Sequence, residues 1–271
     1  ESQRVTLKDI GSIEEIQKFI RNANAESELM ELESQFRCNG SDGYIAWLDD
    51  ALEIRKTAND DGFDLDYDIK VCDTPNEVRD LIFEKNKINN KARLLAGYCW
   101  NWIADGKNKS DVYDITIPEY NFAMSWNLGN SQTWAIDSES VNEIGCIHTA
   151  QGLEFDYVGV IIGNDLRYEN GKIITDVTKR AKTDQSIKGI NKLSKDDLEE
   201  ANKIADEIIK NTYRTLMTRG QKGCYIYCTD KKLSEYLKKR LNQNNGITYS
   251  VAEEGSNYMY VAEDSEEYKY E

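Results

Sequence analysis

The chain has 271 residues, with 34 basic and 49 acidic side chains and a formal charge of −15, which excludes a generally basic nucleic-acid coat protein. Apolar residues make up 39% and charged residues 31%, with 17 glycines and only 2 prolines, a balance that excludes disordered and collagenous chains. One large domain, with or without an inserted subdomain, is expected at this length. The apolar run from Tyr157 to Gly163 is far shorter than the roughly 18 residues of a bilayer span, so a soluble protein with no membrane partner is expected. The cysteines at 38, 72, 99, 146, 224 and 228 form no Cys-x-x-Cys pair, and a protein without a secretory leader is expected. Reduced, buried thiols, a cytoplasmic location and no metal site follow as expectations.

In chain order, Ser12 and Glu15 form a capping box, and Ile13, Ile16, Phe19 and Ile20 recur at helical spacing, which predicts an amphipathic helix over 12–23. Glu28 to Phe36 reads as a strand, and Tyr44 to Ile54 as a helix with Ile45, Leu48 and Leu52 on one side. A strand at Tyr67 to Cys72 leads into Thr74-Pro75-Asn76-Glu77, where Pro75 takes the first position of another helix. Further strands are predicted at Arg93 to Tyr98, Val112 to Ile117, Asn142 to His148, Tyr157 to Ile162 and Gly223 to Cys228. The run from Tyr157 is apolar on both faces, as a central parallel strand must be, so the predicted class is α/β. Arg167 to Lys192 reads as an insertion: a Glu-Asn-Gly turn at 169–171, then Lys179, Arg180, Lys182, Lys188 and Lys192 against the single acid Asp184, in a solvated loop. Leu193 to Met217 is predicted as one long helix capped by Ser194, burying Leu198, Ala201, Ile204, Ala205, Ile208 and Ile209. Asp230 caps a last helix through Leu241, and from Glu253 onward seven acids face only Lys269, an acidic tail.

Neither Gly-x-x-x-x-Gly-Lys-[Ser/Thr] nor Gly-x-Gly-x-x-Gly occurs, so a self-sufficient ATPase or dehydrogenase is not expected. Three segments nevertheless look like the second half of a motor: Leu32-Glu-Ser-Gln-Phe-Arg-Cys38, Ile147-His-Thr-Ala-Gln-Gly-Leu-Glu-Phe-Asp-Tyr-Val158 and Tyr213-Arg-Thr-Leu-Met-Thr-Arg-Gly220. The middle one resembles the His-[Ser/Thr]-[Ala/Ser]-[Lys/Gln]-Gly-Leu-Glu-[Phe/Trp] motif of superfamily 1 helicases of the UvrD/Rep type. The last resembles their arginine-finger motif, and the first resembles the Gln/Asn-[Phe/Tyr]-Arg motif that opens their second motor domain. Over nearly the whole chain the sequence is similar to a bacterial helicase-like family allied to the Schlafen-type DNA/RNA helicase domain, with residues 35–44, 96–102 and 219–227 carrying that closer likeness.

The resemblance implies a RecA-like P-loop NTPase fold with a mainly parallel sheet. Residues 1–10 would be the tail of the first motor domain, and residues 11–250 the helicase C-terminal domain, with a basic insertion at about 165–195. Residues 251–271 would be the acidic tail. The full-length protein would be an ATP-dependent helicase or translocase that uses ATP and Mg²⁺. Its partners would be an N-terminal RecA-like domain bearing the phosphate loop and a single strand of DNA or RNA, and the fragment alone would be inactive. Arg219 would be the arginine finger and Arg37 a second γ-phosphate contact, because guanidinium groups placed there stabilise the charge that develops on the transferred phosphoryl. Glu1, in the tail of an Asp-Glu-x-[Gln/His]-Arg motif, would polarise the attacking water, and Gln3 would sense the γ-phosphate. Gln151 and Gly152 would bring backbone amides near phosphate, and Glu154 would accept from the ribose.

His148 and Thr149 would contact the nucleic-acid backbone. Trp100 and Trp102 are candidates for base stacking, with core packing the commoner role for such residues. The stretch from His148 to Phe155 and Arg219 are expected along one edge of the sheet. Two rival readings stay open. One is a degenerate helicase-like regulator that binds nucleic acid or protein without ATPase activity. The other is a nuclease, for which Asp49, Asp50, Asp60, Asp61, Asp64, Asp66 and Asp68 would be the candidate carboxylates, against their commoner role as a solvated loop.

Overall fold

The fold is that of a computed structural model that describes residues 6, 13–28, 38, 42–57, 67–103, 112–126, 133–150, 153–244, 248–251 and 260–263. The chain runs through α1 (Ile13–Ala23), α2 (Asp42–Ala51), β1 (Asp68–Val71), α3 (Pro75–Asn89), β2 (Ala92–Ala96), β3 (Ile115–Ile117), β4 (Phe122–Trp126), β5 (Glu143–Gly145), α4 (Ile147–Ala150) and β6 (Phe155–Ile162). It continues through β7 (Leu166–Glu169), β8 (Lys172–Thr175), α5 (Ile190–Asp196), α6 (Leu198–Met217), β9 (Gly220–Cys228), α7 (Lys231–Asn244), β10 (Thr248–Val251) and β11 (Tyr260–Glu263).

Seven strands form one sheet in the order β1-β9-β6-β2-β5-β4-β3. Every pairing from β1 to β4 is parallel, and only the edge strand β3 runs antiparallel. The result is a mostly parallel mixed sheet flanked by helices, an α/β fold. Period-2 alternation divides β6 between two cores. Val158, Val160 and Ile162 join residues of α2, α6 and α7 on one face, while Ile161 joins Val78 and Ile82 of α3 on the other. Gly159 lets α3 come this close, because a Cβ there would lie 2.6 Å from Val78 and 2.8 Å from Ile82.

Most of the predicted elements appear close to their predicted positions, and their local chemistry explains them. Thr74 caps α3 by accepting from the amide of Glu77 at 3.1 Å, and Glu77 returns a bond to the amide of Asp73. Asp230 accepts from the amide of Leu233 at 2.8 Å and starts α7. The helix predicted over 193–217 is instead two, because Asp197 adopts an extended backbone and accepts from the amide of Glu200, capping α6. Ser194 lies inside α5 and donates to the carbonyl of Asn191. Leu198, expected to be buried, is 62% exposed, whereas the expected face from Ala201 to Ile209 is buried.

The strand predicted over 142–148 ends at Gly145. The carbonyl of Cys146 then accepts from the amides of Thr149 and Ala150 and turns the chain into α4.

The insertion is not a plain solvated loop either. Asn170 and Gly171, at φ 52° and 82°, make the tight turn of the β7–β8 hairpin. β10 pairs antiparallel with β11, which lies inside the stretch read as acidic tail. The predicted strand at 28–36 lies outside the described residues from 29 onward. No helix among the described residues is long and apolar enough to cross a membrane.

Candidate functional site

Parallel strands give the sheet two chemically distinct edges, and the predicted site residues divide between them. β5 ends at Gly145, whose neighbour Leu95 on β2 pairs with Val160, near the carboxyl end of β6. His148 and Thr149, in α4, therefore follow the carboxyl edge of the sheet. Phe155 and Gly220 pair at the amino ends of β6 and β9, which puts Glu154 and Arg219 side by side at the opposite edge. The expectation that all of them share one edge is corrected: eight residues separate Gly145 at the end of β5 from Glu154 ahead of β6, and over them the chain returns to the amino edge, as a parallel connection must.

At the amino edge the amide of Phe155 donates to the carbonyl of Arg219 at 2.9 Å. The Arg219 Nη1 donates to the carbonyl of Leu153 at 3.3 Å. Arg219 is only 4% exposed, whereas its neighbour Glu154 is exposed. The turn that carries Arg219 is held from several sides. The Tyr44 hydroxyl donates to the carbonyl of Met217 at 3.3 Å, the Cys38 Sγ to that of Thr218 at 3.8 Å, and the Tyr67 hydroxyl to that of Gly220 at 3.1 Å. The rings of Tyr44 and Tyr67 stack with centroids 4.1 Å apart. Burial holds the Tyr44 phenol well above its ordinary pKa, so it stays a donor. One turn earlier, Arg214 forms a buried ion pair with Asp49 of α2. Cys38 brings the chain to this edge immediately after Arg37, but Arg37 itself, with Glu1, Gln3, Gln151 and Gly152, lies outside the described residues.

At the carboxyl edge aromatic rings gather where β2 and β4 end. Tyr98 stacks on Trp126 at 5.4 Å between centroids, Trp102 also stacks on Trp126 at 6.3 Å, and His148 meets Tyr98 edge-on at 6.5 Å. Trp100 is turned aside, its Nε1 donating to the carbonyl of Thr116 at 3.3 Å. Asp114 accepts from the amides of Ile103 and Trp126, fastening the Trp100–Ile103 segment to β4. His148 is exposed, Trp100 and Trp102 are half-buried, and Thr149 is buried beside Cys146. Ligands of open parallel sheets bind outside the carboxyl ends of the strands, where this cluster lies.

The insertion completes this edge. Its Ala181 amide donates to the carbonyl of Tyr98 at 2.8 Å and its Lys182 amide to Asn101 Oδ1 at 2.9 Å, so the exposed Lys179 and Lys182 flank the aromatic cluster. Arg180 does not join them, contrary to its reading as part of a solvated basic run. It is buried, with Nη1 on Asp165 at 3.1 Å, Nε on Asp184 at 2.7 Å and Nη2 on Ser186 at 3.0 Å. Burial opposes its charge, but the two carboxylates prevail and raise its pKa further.

Sequence reasoning missed Trp126 because β4 was not recognised as a strand. It missed the Asn101–Lys182 contact because those residues meet only through the insertion's docking. An aromatic at the end of the alternating run Phe-Ala-Met-Ser-Trp at 122–126 was the available signal.

The carboxylates of the nuclease reading are used elsewhere. Asp49 pairs with Arg214 and Arg55, Asp50 with Arg240, and Asp68 with Lys85. Asp60, Asp61, Asp64 and Asp66 lie outside the described residues, and among the described ones no group of three or more His, Cys, Asp or Glu could hold a metal ion.

Comparison with known proteins adds three findings. The family model described as "Schlafen group 3, DNA/RNA helicase domain" matches residues 1–230. An uncharacterized protein of Saccharomyces cerevisiae is 25% identical over 221 residues, which cover 76% of this chain and 47% of that protein, so the chain spans about half the length of its relative. No solved structure matches.

Proposed function

Because the chain belongs to the Schlafen group 3 DNA/RNA helicase domain family, a family of helicase-like, nucleic-acid-related proteins, we propose that it is the second, RecA-like lobe of a superfamily 1 type ATP-dependent helicase or translocase. The nucleotide meets the amino edge, and a single strand of DNA or RNA meets the carboxyl edge. One observation carries this reading: the register of β6 on β9 brings Glu154 and Arg219, 65 residues apart, to one edge, while His148, Trp102 and Lys182 gather at the other.

The amino edge fits half of a nucleotide site. It offers an exposed carboxylate at Glu154 to accept from a ribose, and a guanidinium at Arg219 whose backbone is held on both sides. ATP with Mg²⁺, bound chiefly to the other lobe, supplies the phosphoryl group that is transferred to water. Arg219, with Arg37 beside the Cys38 contact, then stabilises the charge on the phosphoryl oxygens at little reorganisation cost, because its backbone is pinned before the nucleotide arrives. Gln151 and Gly152 approach the phosphates through their amides, and Glu1 and Gln3 contribute from the preceding lobe's motif.

At the carboxyl edge stacking reads no sequence, which suits a strand that slides. Trp102 and His148 offer the stacking and hydrogen-bonding surface, Thr149 lies behind them, and Trp100 serves as packing. The whole-chain charge of −15 repels phosphate, so the local lysines 179 and 182 set strand affinity.

The burial of Arg219 favours a second reading, the regulator without ATPase activity, in which this arginine only braces the β6–β9 junction. Arg219→Ala in the full-length protein separates the two. The motor reading expects strand-stimulated ATP turnover to fall by about 10³-fold or more with the circular dichroism spectrum unchanged. A wild-type protein that binds oligonucleotide but shows no strand-stimulated turnover supports the regulator.

A further inference from the structure

The polar cluster at the carboxyl end of β6 belongs to neither edge's proposed chemistry, yet it ties the insertion to the helix that leads to Arg219. Asp165, fully buried just beyond β6, has one carboxylate oxygen on Arg180 of the insertion and the other on the hydroxyl of Tyr213 in α6. The Tyr213 hydroxyl also accepts from the amide of Gly163 at 3.0 Å. There is no slack around it: a Cβ on Gly97 would stand 1.9 Å from that hydroxyl oxygen, so the end of β2 packs directly against it. The insertion is tied into the same cluster by Asp184 and Ser186, whose side chains bond each other at 2.8 Å and both hold Arg180. The segment carrying Ala181 and Lys182 is the one that flanks the aromatic edge.

From Tyr213 the helix runs four residues to its end at Met217, about 6 Å along its axis, and Arg219 follows just beyond the C-cap Thr218. Over that span Arg214 is held by Asp49, and the carbonyls of Met217 and Thr218 are held by Tyr44 and Cys38. A packed helix gripped in this way moves as a unit, and interfaces of this kind shift between discrete arrangements instead of deforming smoothly.

We propose that Tyr213 is a positioning residue that couples the two edges: a strand seated against Trp102 and Lys182 displaces the insertion, Asp165 passes that displacement to Tyr213, and the last turn of α6 carries it to Arg219. This rests on the assignment of strand and nucleotide to the two edges given above, and it adds that occupancy of one is sensed at the other through the Arg180–Asp165–Tyr213 chain. The insertion thereby acts as a sensor arm as well as a source of positive charge.

The test uses the full-length protein with oligo(dT) and oligo(U) as probes, and Tyr213→Phe, which keeps the ring and removes the hydroxyl. Wild type should show slowed amide exchange over residues 216–220 when either strand binds, together with stimulated ATP turnover. Tyr213→Phe should bind the strand with unchanged affinity and keep its unstimulated turnover. Its stimulation should drop by about tenfold, within the usual range of allosteric coupling, and the exchange response at 216–220 should disappear. Ser186→Ala loosens the same chain from the insertion side without touching α6. It should shift both readouts in the same direction by less, and it carries the test if Tyr213→Phe does not fold.

An exchange response at 216–220 that persists in folded Tyr213→Phe, or that is absent from strand-bound wild type, overturns the coupling and leaves the assignment of the edges standing. Failure of wild type to bind either strand removes the assignment of the carboxyl edge and the coupling with it. Undiminished turnover in Arg219→Ala removes the arginine-finger role and, with it, the end point of the coupling, while the strand assignment stands.

Discussion

The two edges of one sheet are built on opposite principles. At the amino edge Arg219 is 4% exposed, and the turn bearing it is clasped by bonds from Tyr44, Cys38 and Tyr67. At the carboxyl edge His148 and Lys182 are exposed, and Trp102 is half-buried against Trp126. A group that must stabilise charge in a transition state gains from a backbone fixed in advance. On the proposed reading, a surface that accepts many bases in turn gains from accessible rings and exposed lysines, which carry no sequence information. Both edges rest on buried ion pairs, Asp49–Arg214 beside the amino edge and Arg180 with Asp165 and Asp184 beside the carboxyl edge, but at the carboxyl edge His148, Trp102 and Lys182 stand outside those pairs and can be altered with smaller structural consequence.

The sharpest way to break that contrast is Asp49→Ala. Asp49 is 1% exposed and neutralises the buried Arg214, so its loss should cost about 3–5 kcal/mol of stability, because it leaves an uncompensated buried charge. The urea midpoint measures this, and a change of a few tenths would mean that the amino edge is not pre-set by its buried pairs. Trp102→Ala should weaken oligo(dT) binding by about 1–3 kcal/mol, the usual value of one stacked base. It should move the urea midpoint less than Asp49→Ala does, and fluorescence anisotropy with parallel unfolding curves compares the two. Unaltered affinity would make Trp102 a packing residue like Trp100.

Thr74→Ala, which removes the cap of α3 on the face away from α6, should cost about 1 kcal/mol and leave strand affinity alone. It calibrates how far a purely structural loss reaches into binding. The smallest effect is expected from Lys182→Ala: a nearly uniform loss of affinity for all sequences, with the slope of log affinity against log salt reduced by about 1. An unchanged slope would show that Lys182 makes no phosphate contact.

The α/β class and most of its elements were legible in local pattern. The Thr74-Pro75 opening of α3 and the Asp230 cap of α7 satisfy backbone groups with neighbours in sequence, and the two-faced apolar run of β6 is contiguous although its ladder partners are distant, which is why they could be read. The break at Asp197 was hidden because a helix-compatible run continues on both sides of it, and only the extended backbone there reveals the cap. The same limit applies to charge. Arg180 looks in sequence like the lysines around it, and its burial depends on Asp165, which lies 15 residues away across the β7–β8 hairpin.

The sequence by itself determined the family, the α/β class with most of its helices and strands, and the residue types that point to phosphate and nucleic-acid chemistry, because motifs and periodicity are properties of neighbouring residues. Only the tertiary structure decided that Glu154 and Arg219 share one edge while His148 lies beyond the other, and that Trp126 and Lys182 join His148 there. Parallel register and the docking of an insertion are set by packing between segments far apart in the chain, and no local pattern encodes a long-range contact.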